Sequence, residues 1–278
     1  MMSAYTKSDL LAQLSAIRLP RDRVVLMHSS LRLIGQIEGG AKTLLDALIE
    51  HFTAEGGLFC VPTHTWANLS KDIVLDVNDP HTCLGAFSDF ALADGRGVRS
   101  ENPTHSMVVF GDREKAEAFV AGEIDVISGT APESCYGKIY QMGGYVLLVG
   151  VSHARNTYLH AVDEMLGVPD RITAEPREIK IKRASGEVVT RHIRGHHCSF
   201  TNDISARFPQ FETAFRYHCA ITDGFLGDAP VQACDARIMK QTMETIFARA
   251  DRDPLSDEAA LQPVWYVKNN ANKYPPVK

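Results

Sequence analysis

Four short apolar runs, each joined to a polar segment, set the framework of this chain. Val24-Val25-Leu26-Met27 runs into His28-Ser29-Ser30-Leu31, and Leu58-Phe59-Cys60-Val61 ends at Pro62-Thr63-His64-Thr65-Trp66. Asn102-Pro103-Thr104-His105-Ser106 leads into Met107-Val108-Val109-Phe110, and Val146 to Val151 ends in Ser152-His153-Ala154-Arg155-Asn156-Thr157. Uninterrupted aliphatic and β-branched runs of this length predict buried strands, with the polar residues delivered at their ends. Between the runs the spacing turns helical. The first nineteen residues predict an amphipathic helix capped by Thr6 or Ser8. A Gly-rich loop from Gly35 to Gly40 precedes Leu44, Leu45, Leu48, Ile49 and Phe52 at helical spacing. Further helices are predicted from Asp112 to Val120, after Pro132, after Thr157 as its cap, and from Ile238 to Ala250.

Beyond Gly167 the period changes to two. Glu178-Ile179-Lys180-Ile181-Lys182, a turn at Ser185-Gly186-Glu187, and Val188 to Ile193 predict a β-hairpin exposed on one face. From Phe200 the chain reads as largely helical, with a strand near Gln232-Ala233-Cys234, and residues 262–278 as an extended, Pro-rich tail. Residues 67–100 have weak periodicity and turn signals at Asn78-Asp79-Pro80 and Gly95-Arg96-Gly97, which suits an active-site loop in part. No repeat or low-complexity linker divides the chain, so one α/β domain with a hairpin insertion is expected over residues 1–278.

Composition narrows the function classes. A net charge of -5, with no basic stripe interleaved with aromatics, argues against a nucleic-acid partner. No apolar run approaches membrane-spanning length and no leader-like segment opens the chain, so a cytoplasmic protein without a membrane partner is expected. Six cysteines without CxxC spacing fit reduced thiols better than a disulfide framework.

The chemistry-bearing residues gather at the predicted strand ends. His160 is followed by Asp163 and Glu164, about one helical turn on, and an imidazole beside a carboxylate is a general-base unit. A surface ion pair is the plainer reading of the same spacing. The loop from Gly35 can present backbone N–H groups to an anion, yet it matches neither GxxxxGKS nor GxGxxG. Ser128, Gly129 and Thr130 offer further hydroxyl and backbone donors. His64 and His105 stand at neighbouring strand ends and would line one cleft, whereas His28 reads as structural. His192, His196, His197 and Cys198 carry a metal-ligand flavour, but Arg194-Gly195 after a strand weakens the shared helix face that i and i+4 imidazoles need. A metal-dependent hydrolase built on His64, His105, His153 and His160 is a separate reading of the same strand ends.

Taken in order, HSSL at 28–31 with the Gly-rich turn at 35–40, PTHTW at 62–66, NPTHS at 102–106, LLVGVSHARNTYLHAVDE at 147–164 and GDAPVQACDAR at 227–237 resemble the aminoglycoside 3-N-acetyltransferase family, also called the antibiotic N-acetyltransferases. The resemblance spans roughly residues 5 to 250 and is least distinctive in the hairpin and tail. It implies a three-layer α/β/α sandwich around a central mixed sheet, with the hairpin near 178–193 as an insertion. It implies acetyl-CoA as cosubstrate, held by Ser29, Ser30 and Leu31 with Ser106 and Thr130, and no metal. His160 becomes the base that deprotonates an acceptor amine, an aminoglycoside or related amino compound, for direct transfer. Its acid partner would be Asp163, where the family usually has Glu, with Glu164 adjacent. Thr63, His64 and His105 fall to the substrate side, with Thr63 or a backbone N–H as the oxyanion donor. Asn102 stands where the family often has His. The resemblance leaves a homodimer open, and a non-catalytic CoA-binding member of the fold is a further alternative.

Overall fold

The computed structural model describes residues 4–66 and 74–268. Part of the loop expected at 67–100 and the tail from residue 269 lie outside the described residues. In chain order the elements are α1 (Lys7–Ile17), β1 (Val24–Ser29), α2 (Leu31–Ile34), α3 (Gly40–Thr53), β2 (Leu58–Pro62), β3 (Leu75–Asp76), α4 (Ala86–Ala93), β4 (Val98–Arg99), β5 (Met107–Phe110) and α5 (Arg113–Val120). They continue with α6 (Cys135–Gln141), β6 (Tyr145–Val149), α7 (Tyr158–Met165), β7 (Arg177–Lys182), β8 (Val188–Ile193), α8 (Glu212–Tyr217), β9 (Ile221–Leu226), β10 (Ala229–Asp235), α9 (Ala236–Arg249) and α10 (Pro263–Tyr266).

The central sheet has the order β4-β5-β2-β1-β6-β10-β9. β1 pairs in parallel with both β2 and β6, while β5 and β10 run antiparallel to their inner neighbours. Strand alternation divides the side chains of β1 between two cores. Val24 and Leu26 join the core built with α5 to α10, and Val25 and Met27 join the one built with α1, α3 and α4. Both faces are therefore covered, and this is why these strands read as unbroken apolar runs. The arrangement is the expected three-layer α/β sandwich around a mixed sheet. Among the described residues no helix is long and apolar enough to cross a membrane.

The caps follow local chemistry. Thr6 accepts from the Asp9 N–H while the Asp9 carboxylate accepts from the Thr6 N–H, a reciprocal capping box on α1. Asp112 caps α5 and Asp235 caps α9. Thr157 occupies the position before α7 but has helical dihedrals and no side-chain cap bond, because a 3₁₀ turn at His153–Arg155 already leads the chain into the helix. The expected hairpin is β7–β8, and β3 joins it in parallel to make a small second sheet. Its inward residues Ile179, Ile181 and Ile193 pack on Leu75, Ile124, Val126 and Ala131. β9 was not expected: ITDGFL places Asp223 and Gly224 mid-strand and lacks the apolar run that marks the other strands.

The turn into β2 tolerates no side chain. A Cβ on Gly57 would collide with the backbone carbonyls of Arg21, Phe52 and Arg23. Gly57→Ala is therefore expected to destabilise the protein by about 1–3 kcal/mol through overpacking, read as a lower urea midpoint at unchanged slope.

Candidate active site

β1 sits where the parallel order reverses, with β2 on one side and β6 on the other. In sheets of this kind the crevice beyond the carboxyl ends of such strands is the place for a ligand. Ser29 to Leu31 leave β1 there, Thr63 to Thr65 leave β2, and the segment after β6 leads into α7. Because β5 is antiparallel, Asn102 to Ser106 enter it from the same end: the Thr63 and Thr65 N–H groups donate to the Ser106 and Thr104 carbonyls.

The imidazoles at these ends form a row. The His64 and His105 ring centroids are 4.6 Å apart, His105 and His196 4.7 Å, and His196 and His160 3.8 Å with their planes 14° from parallel. Each ring has its own oxygen partner. His64 Nε2 lies 2.6 Å from the Tyr136 hydroxyl, and His105 Nδ1 lies 2.8 Å from Thr104 Oγ1. His196 Nε2 is 2.8 Å from Thr130 Oγ1, and His160 Nε2 is 2.9 Å from Ser205 Oγ. Phe208 meets the His160 ring in an edge contact, with centroids 4.9 Å apart.

The loop carrying His105 is set by one side chain. Asn102 Oδ1 accepts from the Thr104 and His105 N–H groups, while its amide donates at 3.0 Å to both Glu123 Oε2 and the Gly129 carbonyl. Asn102 thus ties the β5 entrance to the segment that bears Ser128 and Thr130.

Burial governs the charge of the row. His160 is held well below the ordinary imidazole pKa by burial first, then by His196, Arg171 and His64. Burial likewise lowers His64 and His105 strongly, and His196 to about 4. The rings are neutral at pH 7, so each keeps a lone pair able to accept a proton. Burial pushes Asp163 up to about 7 against the pull of Arg171.

The predicted site residues fall into distinct places. His160, His64 and His105 share the row. Asp163 leaves the imidazole side of α7: it is fully buried and takes the Arg171 Nε–H at 3.1 Å, while Arg171 Nη2 donates to Asp253 at 2.6 Å. Glu164 accepts from the Ser128 hydroxyl and, at 2.6 Å, from Thr130. Thr63 and Ser106 are buried against each other, with Oγ1 and Oγ 3.0 Å apart and Ser106 donating to the Thr63 carbonyl at 2.7 Å. Ser29, Ser30 and Leu31 are half-buried, and the Ser30 N–H donates to the Val149 carbonyl at 2.9 Å. The group at 192–198 is dispersed. His192 faces Glu178 across the hairpin, His197 Nε2 pairs with Asp170 at 3.2 Å, and His196 turns into the row. Among the described residues no three His, Cys, Asp or Glu side chains form a group that could hold a metal ion. His196, Tyr136 and Ser205 were not assigned to the cleft from sequence. Only His196 carried a signal, its place beside a predicted strand end.

A mixed sheet with helices on both faces and a row of imidazoles at one edge defines an α/β protein with a candidate site at its strand ends. The sequence profile of the family described as aminoglycoside 3-N-acetyltransferase matches residues 26–248. Aminoglycoside N(3)-acetyltransferase IV from Salmonella is 25% identical over 258 residues, covering 92% of this chain and 91% of that protein. A solved structure of aminoglycoside acetyltransferase AAC(3)-IVa, a histidine-to-alanine mutant in complex with a gentamicin, superposes with a TM-score of 0.75 at 26% identity, covering 92% of each chain. AAC-IIIb, solved as a binary complex with CoASH, shares the fold with a TM-score of 0.76 at 22% identity, over 91% of this chain and 100% of that one. The chain belongs to the aminoglycoside 3-N-acetyltransferase family and is an acetyltransferase of that class.

Two outcomes are expected. Below the ordinary histidine pKa the unfolded chain takes up protons that the buried rings refuse, so stability is complete above about pH 6.5 and is lost as pH falls toward 4, by up to about 1.4 kcal/mol per pH unit for each such ring. Asp163, Glu123 and Glu164, whose pKa values are raised, act in the opposite sense, but seven histidines, 28, 51, 64, 105, 153, 160 and 196, have lowered values. Urea midpoints at pH 7.5 and 5.0 should differ accordingly, and equal midpoints would refute the neutral row. Removing the cation that serves two acids should cost more. Arg171→Met leaves Asp163 buried and unpaired and should lower unfolding free energy by about 3–5 kcal/mol, with Asp163→Asn in the same chain restoring part of it.

Proposed function

We propose that this acetyltransferase moves the acetyl group of acetyl-CoA directly to an amine of an aminoglycoside or related amino compound, with His160 as general base. The observation that carries the reading is a buried, neutral imidazole at the edge of the strand-end crevice, in a chain of this family. An ammonium nitrogen has no lone pair to attack with. The base takes its proton, the nitrogen bonds to the thioester carbonyl carbon, and the carbon–sulfur bond breaks; the CoA thiolate released takes up the second proton that the acylated nitrogen loses and ends as the thiol. A lone pair on His160 meets the first need.

Ser29, Ser30 and Leu31 lie in the middle of the crevice, between the ends of β2 and β6, which suits them to the CoA side. The binary CoASH complex of AAC-IIIb supports coenzyme binding on this fold. The gentamicin complex of AAC(3)-IVa supports an aminoglycoside or similar amine as acceptor. His64 and His105 form the wall facing the base, and Thr63 stands behind them as part of the β2–β5 junction. Ser106 and Thr130 have their hydroxyls engaged within the protein, so their support for the coenzyme lies in shaping the loops that bear them. Glu164 is the carboxylate tied to the row through Thr130, whereas Asp163 holds α7 to Arg171.

Free-thiol release from acetyl-CoA in the presence of an amine panel that includes aminoglycosides tests this reading. His160→Ala should lose about 10²–10⁴-fold in rate with the same amine. Direct transfer predicts intersecting initial-velocity lines when both substrates are varied, and parallel lines would point to an acetyl-enzyme instead. Unchanged thiol release in His160→Ala would remove the histidine from the base role.

A further inference from the structure

His196 is where three distant segments meet. Its own segment bridges Ile172, its ring stacks on His160 of α7, and its Nε2 reaches Thr130 before α6. The hydrogen atoms in this contact can be counted. Thr130 owns one hydroxyl proton and has two close partners, Glu164 Oε1 at 2.6 Å and His196 Nε2 at 2.8 Å. The second oxygen of Glu164 takes the Ser128 hydroxyl. Burial raises the Glu164 pKa, but two hydroxyl donors, one on each oxygen, oppose it and favour the carboxylate, which only accepts. The Thr130 proton therefore goes to Glu164, and its oxygen has only lone pairs left for His196. Nε2 of His196 must carry the hydrogen, and in the neutral ring Nδ1 carries the lone pair.

His160 lies flat against this fixed ring at 3.8 Å, and its own Nε2 is with Ser205. The acid nearest in sequence, Asp163, is turned to Arg171. We propose that His196 is the positioning residue of the His160 base, with Glu164 acting through Thr130 and the stacked His196 ring in place of a carboxylate bonded directly to His160. Two imidazoliums at this separation repel, so the stack holds at most one positive charge, and the proton taken from the acceptor amine resides on His160. The other titratable and charged groups facing the pair are His105 and His64 from the β5 and β2 ends, Glu164 and Asp163 from α7, and Arg171 from the loop after it. The acids among them bond elsewhere, Glu164 to Thr130 and Ser128 and Asp163 to Arg171.

The inference rests on His160 being the base, and the test separates the two. Long-range nitrogen–proton NMR of the wild-type protein at pH 7.5 should show His196 in the Nε2–H tautomer, and Glu164→Gln should make it a mixture of tautomers. A wild-type Nδ1–H tautomer overturns the proposal without any variant needing to fold. In the thiol-release assay His196→Phe keeps a ring on His160 but loses the link to Thr130. Its kcat should fall about tenfold with both KM values near wild type. Wild-type kcat in His196→Phe, alongside an inactive His160→Ala, overturns this proposal alone. An active His160→Ala overturns the base and, with it, this proposal.

Discussion

The pairing of β1 with β2 on one side and β6 on the other, with both faces of the strand buried, is the constraint on which the site depends. Both neighbours run in the same direction as β1, so their carboxyl ends open at one edge of the sheet. The antiparallel β5 brings its entrance to that same edge. Four chain segments with no sequence proximity are thereby set within one imidazole stack of each other. The stack adds little that would fold the protein. It is the sheet, packed on both sides by helices, that holds four neutral rings where water would otherwise charge some of them.

Much of this order was legible from the residues. Strands with two covered faces must be apolar along their buried length, and β1 as far as Met27, β2, β5 and β6 are. The helices between them show their period, and Asp112 marks its cap by standing just before the charged face of α5. β3 and β4 are two residues each, too short for any period, and β9 carries Asp223 and Gly224 where a strand signal would need apolar side chains. Their pairing is imposed by neighbours rather than by their own composition.

The site was legible in its imidazoles and obscure in their partners. His64 and His105 stand beside apolar runs, which pointed them to one cleft, whereas His160 was marked by the acids that follow it and by the family resemblance. The spacing of His192, His196 and His197 suggested a metal group only on the assumption of a helix. The segment is extended and bridges Ile172, so consecutive side chains point opposite ways: His197 outward to Asp170 and His196 inward to His160. Tyr136 and Ser205 were hidden for another reason. Each contributes a single hydroxyl from an element whose remaining residues serve the core, and no periodicity reports where one oxygen will end.

The carboxylates show why spacing along a helix does not fix a partner. Asp163 follows His160 by three residues, yet it is paired with the buried Arg171 guanidinium, while Glu164 is met by the Ser128 and Thr130 hydroxyls. An ion in the interior gains most from an opposite charge, so Asp163 turns to Arg171 and shares it with Asp253. Burial is what chiefly pushes Asp163 up, against the pull of Arg171, and the neighbouring Asp253 adds to it. Glu164, less deeply buried, is satisfied by two hydroxyls and so remains an acceptor whose demand for protons passes along Thr130 to the ring beyond. The division of labour between adjacent acids is thus decided by where Arg171 lies, eight residues further along the chain than Asp163, and the row of imidazoles meets only the acid that Arg171 leaves free.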